Sequence, residues 1–143
     1  MMIRPYKNED IQKIIDIWYK GSVQAHHFID ASYWESKMQE MKDKYIPMSE
    51  THVITDQSEI IGFISMVGNY LAALFIDVRN QNNGAGRELL NFEKRRRNIM
   101  QLRVYQENAL AINFYLKNGF VLKDELRDEQ TGKAEYLMEW KKA

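Results

Sequence analysis

The sequence predicts an α/β protein, a mixed α+β sheet with helices on both faces. Three observations carry that prediction. Strand-like segments follow one another from Glu50 to Ile76 with only turn residues between them. The apolar run Leu71 to Ile76 passes through a polar loop into a helix that begins at Gly84 to Gly86 and carries Leu89, Leu90 and Phe92. Helical spacing near the N-terminus and alternating spacing near the C-terminus complete the order β-α-α-β-β-β-α-β-α-β-β, which a sheet covered on both sides satisfies.

Each element has a local reason. Met2 to Tyr6 is a short extended segment, and Asn8-Glu9-Asp10 supplies a helix start with acid in the first turn. Ile11, Ile14, Ile15 and Trp18 then recur at helical spacing, and Gly21 is expected to stop that helix. After the loop Ser22 to Asp30, the residues Tyr33, Trp34, Met38, Met41 and Tyr45 mark a second helix expected to end at Pro47. Its aromatic and methionine-rich face suits a core or an adaptable pocket. Thr51 to Thr55, Ile60 to Val67 and the strand from Tyr70 form an antiparallel meander, with turns at Asp56-Gln57-Ser58 and Gly68-Asn69. A third helix is expected from Gly84 to about Ile99, a strand at Leu102 to Tyr105, and a fourth helix at Ala109 to Asn118 capped by Gly119. Val121 to Arg127 and Glu135 to Trp140 alternate as strands.

The turn after the central strand has chemistry of its own. The first amides of a helix lack carbonyl partners and the helix dipole adds positive charge there, so the start of the third helix is an anion site. Gly84 and Gly86 allow a phosphate to come against the backbone, and Asn82 and Asn83 tolerate left-handed conformations. An ordinary strand-to-helix turn is the other reading of the same residues. No Gly-Lys-Ser/Thr ending is present, and Leu89 stands where a dinucleotide fold has its third glycine or alanine.

A second stretch narrows the choice. Ile76, Gln81, Gly84 and Gly86 meet a Val/Ile, four residues, Gln/Arg-x-x-Gly-x-Gly/Ala pattern. Asn108, Ala111, Phe114, Tyr115, Gly119 and Phe120 meet Asn-x-x-Ala-x-x-Phe/Leu-Tyr followed by Gly-Phe. The pair, in this order, resembles the GNAT superfamily of acyl-CoA-dependent N-acetyltransferases. The resemblance implies the GNAT fold, in which the strand before the glycine loop and the strand after the third helix splay apart. It also implies acetyl-CoA as cosubstrate and direct transfer of acetyl to a primary amine in a ternary complex. The amine is that of a small molecule, a protein lysine or an N-terminus.

By the same resemblance, the amides of Asn82, Asn83, Gly84, Gly86 and Arg87 take the pyrophosphate, with the Gln81 side chain assisting; asparagine at position 82 departs from the more frequent glycine. The strand edge carrying Leu74 and Ile76 binds the pantetheine amides, and the Leu74 N–H faces the acetyl oxygen. Tyr115 protonates the departing thiolate, a task a phenol suits; otherwise it is a core tyrosine. Asn108 hydrogen-bonds the cofactor, caps the fourth helix, or does both. His26 is the candidate general base, because its pKa lies near neutrality and Ala25-His26-His27-Phe28-Ile29 is similar to an element of small bacterial acetyltransferases. Glu107, Asp77, Tyr70 and water stand behind it.

Composition bounds the rest. A chain of 143 residues is expected to form one domain, 1–143, and its formal net charge of zero gives no footprint for nucleic acid or an anionic membrane. Cysteine is absent, so disulfides and thiolate chemistry are excluded, and no apolar stretch suits a signal core or a membrane span. A cytoplasmic protein, monomer or homodimer, is the expectation. The histidines His26, His27 and His52 show no metal-ligand spacing, and no metal is expected. Lys94 to Arg97 reads as a solvated helix end, or as a contact to the 3'-phosphate of CoA or an acidic partner. A non-catalytic acyl-CoA binding or sensing module is the alternative to an enzyme.

Overall fold

The computed structural model describes residues 1–143. The strands are β1 (Met2–Pro5), β2 (Glu50–Asp56), β3 (Glu59–Val67), β4 (Tyr70–Ile76), β5 (Ile99–Tyr105), β6 (Val121–Arg127) and β7 (Ala134–Lys141). They form one seven-stranded sheet in the order β1-β2-β3-β4-β5-β7-β6. The helices are α1 (Ile11–Ala25), α2 (Ala31–Glu40), α3 (Ala85–Lys94) and α4 (Ala109–Lys117). The strand and helix order is the one expected.

The β1–β4 half is an antiparallel meander. Gln57 and Ser58 turn β2 into β3 with φ values of +50° and +68°, the left-handed pair that a two-residue hairpin with native twist requires. One buried cluster, with Ile14, Ile17, Trp18, Trp34, Val53 and Phe63, fills the space beneath α1 and α2. A second, with Ile64, Leu89, Leu90, Met100, Leu102, Phe120 and Met138, fills the opposite face beneath α3 and α4. Alternation of side chains along the strands feeds both.

The turn Asn8–Asp10 leads into α1 as expected, and three other boundaries differ from expectation, each for a physical reason. Asp10 starts α1: its carboxylate accepts from the Lys7 N–H at 2.7 Å and pairs with Arg4 at 2.7 Å. Gly21 does not stop α1, which runs on to Ala25. A Cβ at Gly21 would sit 2.7 Å from the Phe75 ring, so this glycine is there for close helix–strand approach. Pro47 is likewise inside a helical turn, Ile46–Met48, and not past the end. The wider π turn Met41–Tyr45 before it changes the bonding pattern in which a proline ring clashes. Finally α3 ends at Lys94, and Ile99 already belongs to β5.

Lys94, Arg96 and Arg97 at that helix end have partners within the chain, and Arg95 is exposed. Arg97 pairs with the fully buried Glu93 at 2.6 Å, and Arg96 reaches Glu50 at 3.0 Å and His52 at 3.3 Å. Lys94 donates to the Asn118 carbonyl and lies over Trp140. Glu50, His52 and Glu93 bring ligand atoms within 4.8 Å of one another; Arg96 and Arg97 engage one oxygen of each carboxylate, while Glu93 Oε2 lies 3.6 Å from His52 Nδ1 without a hydrogen bond.

Candidate active site

The loop from β4 to α3 is built around exposed backbone donors. Asp77 caps a short 3₁₀ turn, Val78–Asn80, by accepting from the Arg79 N–H at 3.1 Å. The chain then takes left-handed values at Asn82 (φ +66°) and Gly84 (φ +87°), the latter directly before α3. The Asn83 side chain accepts from the Ala85 N–H at 3.0 Å, fixing the helix start. The N–H groups of Asn82, Asn83, Gly84, Gly86 and Arg87 have no partner in the chain, so five donors are available around one turn.

The two glycines serve different ends. A Cβ at Gly84 would meet nothing within 4 Å, which leaves the approach to the amides open. At Gly86 it would lie 3.4 Å from the Phe114 ring, so that position also sets how closely α3 and α4 pack. The Gln81 side chain folds back toward the Ile76 carbonyl at 3.4 Å, tying the loop to the strand.

Beside this loop the sheet opens. β4 and β5 are parallel neighbours joined at a single register position, Tyr70↔Gln101. The Asp77 N–H donates to Ile61 in β3 at 2.7 Å, and amides alternate along a strand. The Phe75 and Ala73 amides therefore face β3, while those of Ile76 and Leu74 face the gap, where β5 has moved out of reach. The sheet thus presents an unpaired edge to an extended ligand.

Tyr115, on α4, is 8% exposed and packs edge-on to Phe114 and Phe120 at 5.3 and 5.4 Å between centroids. Its hydroxyl makes no hydrogen bond within the chain. Burial, with a smaller contribution from Tyr70, pushes its pKa well above the usual phenol value, so it holds its proton.

Asn108 caps α4, accepting from the Ala111 N–H at 3.2 Å, and its amide nitrogen lies 3.3 Å from His26 Nε2. His26 is not a solvated loop histidine. It is buried where α1 ends, against Trp34 and Tyr105, both at 5.1 Å, and Phe28 at 5.7 Å. Burial lowers its pKa to about 4 against a smaller opposing contribution from the Ser22 carbonyl, and Nδ1 has no well-formed partner. The ring is neutral at pH 7, and its Nε2 lone pair faces Asn108. Among the other bases considered, Asp77 is engaged by Arg79 at 3.2 Å and Lys13 at 3.5 Å, and Glu107 is exposed in the turn before α4.

Two acidic residues that sequence reasoning did not single out lie near the far wall of the gap. The Tyr105 hydroxyl donates to Asp128 at 2.5 Å, and Glu135 stands directly across from Tyr105 in the β5–β7 ladder. The only sequence signal for Glu135 is a carboxylate at the position of an alternating strand that faces away from Tyr136 and Met138, and Asp128, in the turn before it, has none.

A splayed parallel pair, a donor-rich glycine turn at its mouth and a tyrosine in the helix behind define the acyl-CoA-dependent acetyltransferase class, and this chain belongs to the GNAT family. Residues 47–122 match that family's acetyltransferase (GNAT) domain. The peptidyl-lysine N-acetyltransferase YiaC of Escherichia coli strain K12 is 31% identical over 140 residues, 97% of this chain and 96% of that protein. The fold is similar to that of apo YjaB from Escherichia coli, with a TM-score of 0.87 at 23% identity over 99% of this chain and 98% of that one. It is also similar to PaiA N-acetyltransferase from Thermoplasma acidophilum, solved in complex with coenzyme A, with a TM-score of 0.82 at 22% identity over the same shares. The protein is an N-acetyltransferase that uses acetyl-CoA as its cosubstrate. No helix is long and apolar enough to cross a membrane.

Proposed function

We propose that the acceptor is a lysine side chain of a peptide or protein, and that residues 1–143 work as one acetyltransferase domain in the cytoplasm. The observation that carries the site assignment is the meeting of five unpartnered amides with the unpaired edge of β4. The amides of Asn82, Asn83, Gly84, Gly86 and Arg87 hold the pyrophosphate, and the helix dipole adds to their field. Gln81 keeps the loop against β4. The Ile76 and Leu74 amides take the pantetheine arm as an added strand, and the Leu74 N–H donates to the acetyl oxygen as negative charge develops there, worth about 3 kcal/mol. When bound, acetyl-CoA supplies the activated thioester. Tyr115 keeps a proton ready for the departing sulfur. Asn108 and His26 lock α4, and so Tyr115, against the end of α1.

The lysine acceptor is supported by the peptidyl-lysine specificity in the name of the YiaC relative. The test offers acetyl-CoA with single-lysine peptides, N-terminal amines and small polyamines, following thiol release and the acetyl mass shift. The reading expects kcat/KM for lysine peptides to exceed the others by at least about tenfold, a discrimination of roughly 1.4 kcal/mol. A preference for free polyamines or N-termini overturns it.

A further inference from the structure

The far wall of the gap contains a largely buried glutamate whose carboxylate oxygens still reach solvent and have no partner within the chain. Glu135 is 8% exposed, yet its side chain makes neither a hydrogen bond nor an ion pair within the chain. The groups around it come from every neighbouring element. Tyr105 of β5 stands opposite it in the ladder, the charges of Asp128 on the β6–β7 turn and Arg103 on β5 act on it, and its own charge is felt by Tyr33 of α2 and Tyr70 of β4. Burial first, and Asp128 second, push its carboxyl above the usual carboxylate range, with Arg103 offsetting only part. Arg103 forms no ion pair with it, and Asp128 is already taken by Tyr105.

A carboxylate set in a largely buried wall, with its oxygens open to the outside and no counter-charge beside it, is ready to receive a cation. The place is right for an amine. Leu74 and Tyr105 each stand four residues beyond the Tyr70↔Gln101 bridge, one on either side of the gap. Glu135 is one strand farther, a spacing of about 4.8 Å.

We propose that Glu135, with Asp128 behind it, receives the ammonium group of the acceptor and takes its proton. This rests on the amine-acetylation reading above. The ammonium gives one proton to the Glu135 carboxylate, which passes it to solvent. The freed lone pair forms the C–N bond as the C–S bond breaks. The Tyr115 proton goes to sulfur, and the second proton leaving nitrogen restores the phenol through solvent. Amide, thiol and one released proton balance the reaction.

The test compares the full chain with Glu135→Gln, Glu135→Asp and, as a control in the exposed turn, Glu129→Gln. Assays use whichever amine of the panel the parent enzyme turns over, at pH 7.5 and 9.5, with acetyl-CoA affinity by calorimetry and Tm measured alongside. Glu135→Gln is expected to lower kcat/KM for the acceptor about 100-fold at pH 7.5 and less than about 10-fold at pH 9.5, where free amine is abundant. Acetyl-CoA affinity stays within about twofold and Tm holds, because Glu135 makes no contact within the chain that glutamine would lose. Glu135→Asp recovers part of the rate, and Glu129→Gln matches the parent. A rate within about threefold of the parent, an equal loss at both pH values, or a fall in Tm with loss of acetyl-CoA affinity overturns the proposal. If lysine peptides are poor acceptors but another amine is turned over, the lysine reading fails while this comparison still decides the role of Glu135.

Discussion

At the scale of single residues, the two sharpest candidates are governed by burial. Tyr115 lies inside a cluster of apolar side chains, and its raised pKa keeps the proton in place until a thiolate is generated beside it. Because the hydroxyl bonds to nothing in the chain, its removal should affect chemistry and not folding. Tyr115→Phe is expected to lower kcat about 100-fold while Tm and acetyl-CoA affinity stay close to the parent's, the pattern of a lost proton donor. Full activity in that variant removes Tyr115 as the acid. His26 makes a different prediction. Its pKa is about 4 folded and 6.5 when exposed, so between those values the unfolded chain binds a proton that the folded chain refuses. Stability therefore falls as pH drops through this window, by roughly 3 kcal/mol in all. His52 is lowered in the same sense, so a single-site comparison is needed. Urea unfolding at pH 7 and 4.5 should show a difference about 2 kcal/mol smaller in His26→Gln than in the parent. An unchanged difference would mean that the ring titrates in water.

At the scale of elements, the β4–α3 turn and α1 each depend on one glycine, for opposite reasons. Gly84 needs its left-handed backbone and has open space around it, whereas Gly21 is helical and has no space. Gly84→Ala should cost about 1 kcal/mol of stability through strain and weaken acetyl-CoA binding at least about tenfold, as the new methyl group crowds the amide cradle. Calorimetry and thermal unfolding read the two effects separately. Gly21→Ala should leave the loop untouched but cost about 1–3 kcal/mol, because the Phe75 ring must move. Equal Tm values for that variant and the parent would show that α1 yields easily. The sequence could not separate these cases. A glycine after an apolar helical run signals a stop by local rules, and the ring that excludes its Cβ lies on β4, far along the chain. The same locality explains α3. Helical patterning continues past Lys94, but pairing with β7 claims Ile99 and Met100 for the sheet. By contrast the loop residues Asn82 to Arg87 were legible, because left-handed tolerance and unpartnered helix-start amides are properties of the local chain.

At the scale of the molecule, the sheet is two half-sheets, β1–β4 and β5–β7–β6, joined at one register position. Element order was legible from periodicity, but the opening between the halves was not. It depends on which residues of β4 and β5 oppose one another, and nothing in either strand's own pattern records that; only the resemblance of paired motifs supplied it. Glu135 was missed for the same reason, since its significance lies in what stands across from it. The opening has a direct observable. Along β4 the Ala73 and Phe75 amides bond to β3, while those of Leu74 and Ile76 have no strand to bond to. Hydrogen exchange in the free protein should therefore alternate along the strand, slow at Ala73 and Phe75 and fast at Leu74 and Ile76. Acetyl-CoA at about 100 times its Kd should stabilise the fold by about 2.7 kcal/mol and raise Tm by roughly 5–10 °C. If the pantetheine arm completes the sheet, the same addition slows exchange at Leu74 and Ile76 at least about tenfold and leaves the alternating pair nearly unchanged. A rise in Tm without protection at Leu74 would place the cofactor outside the gap, and the amide aimed at the acetyl oxygen would lose its role.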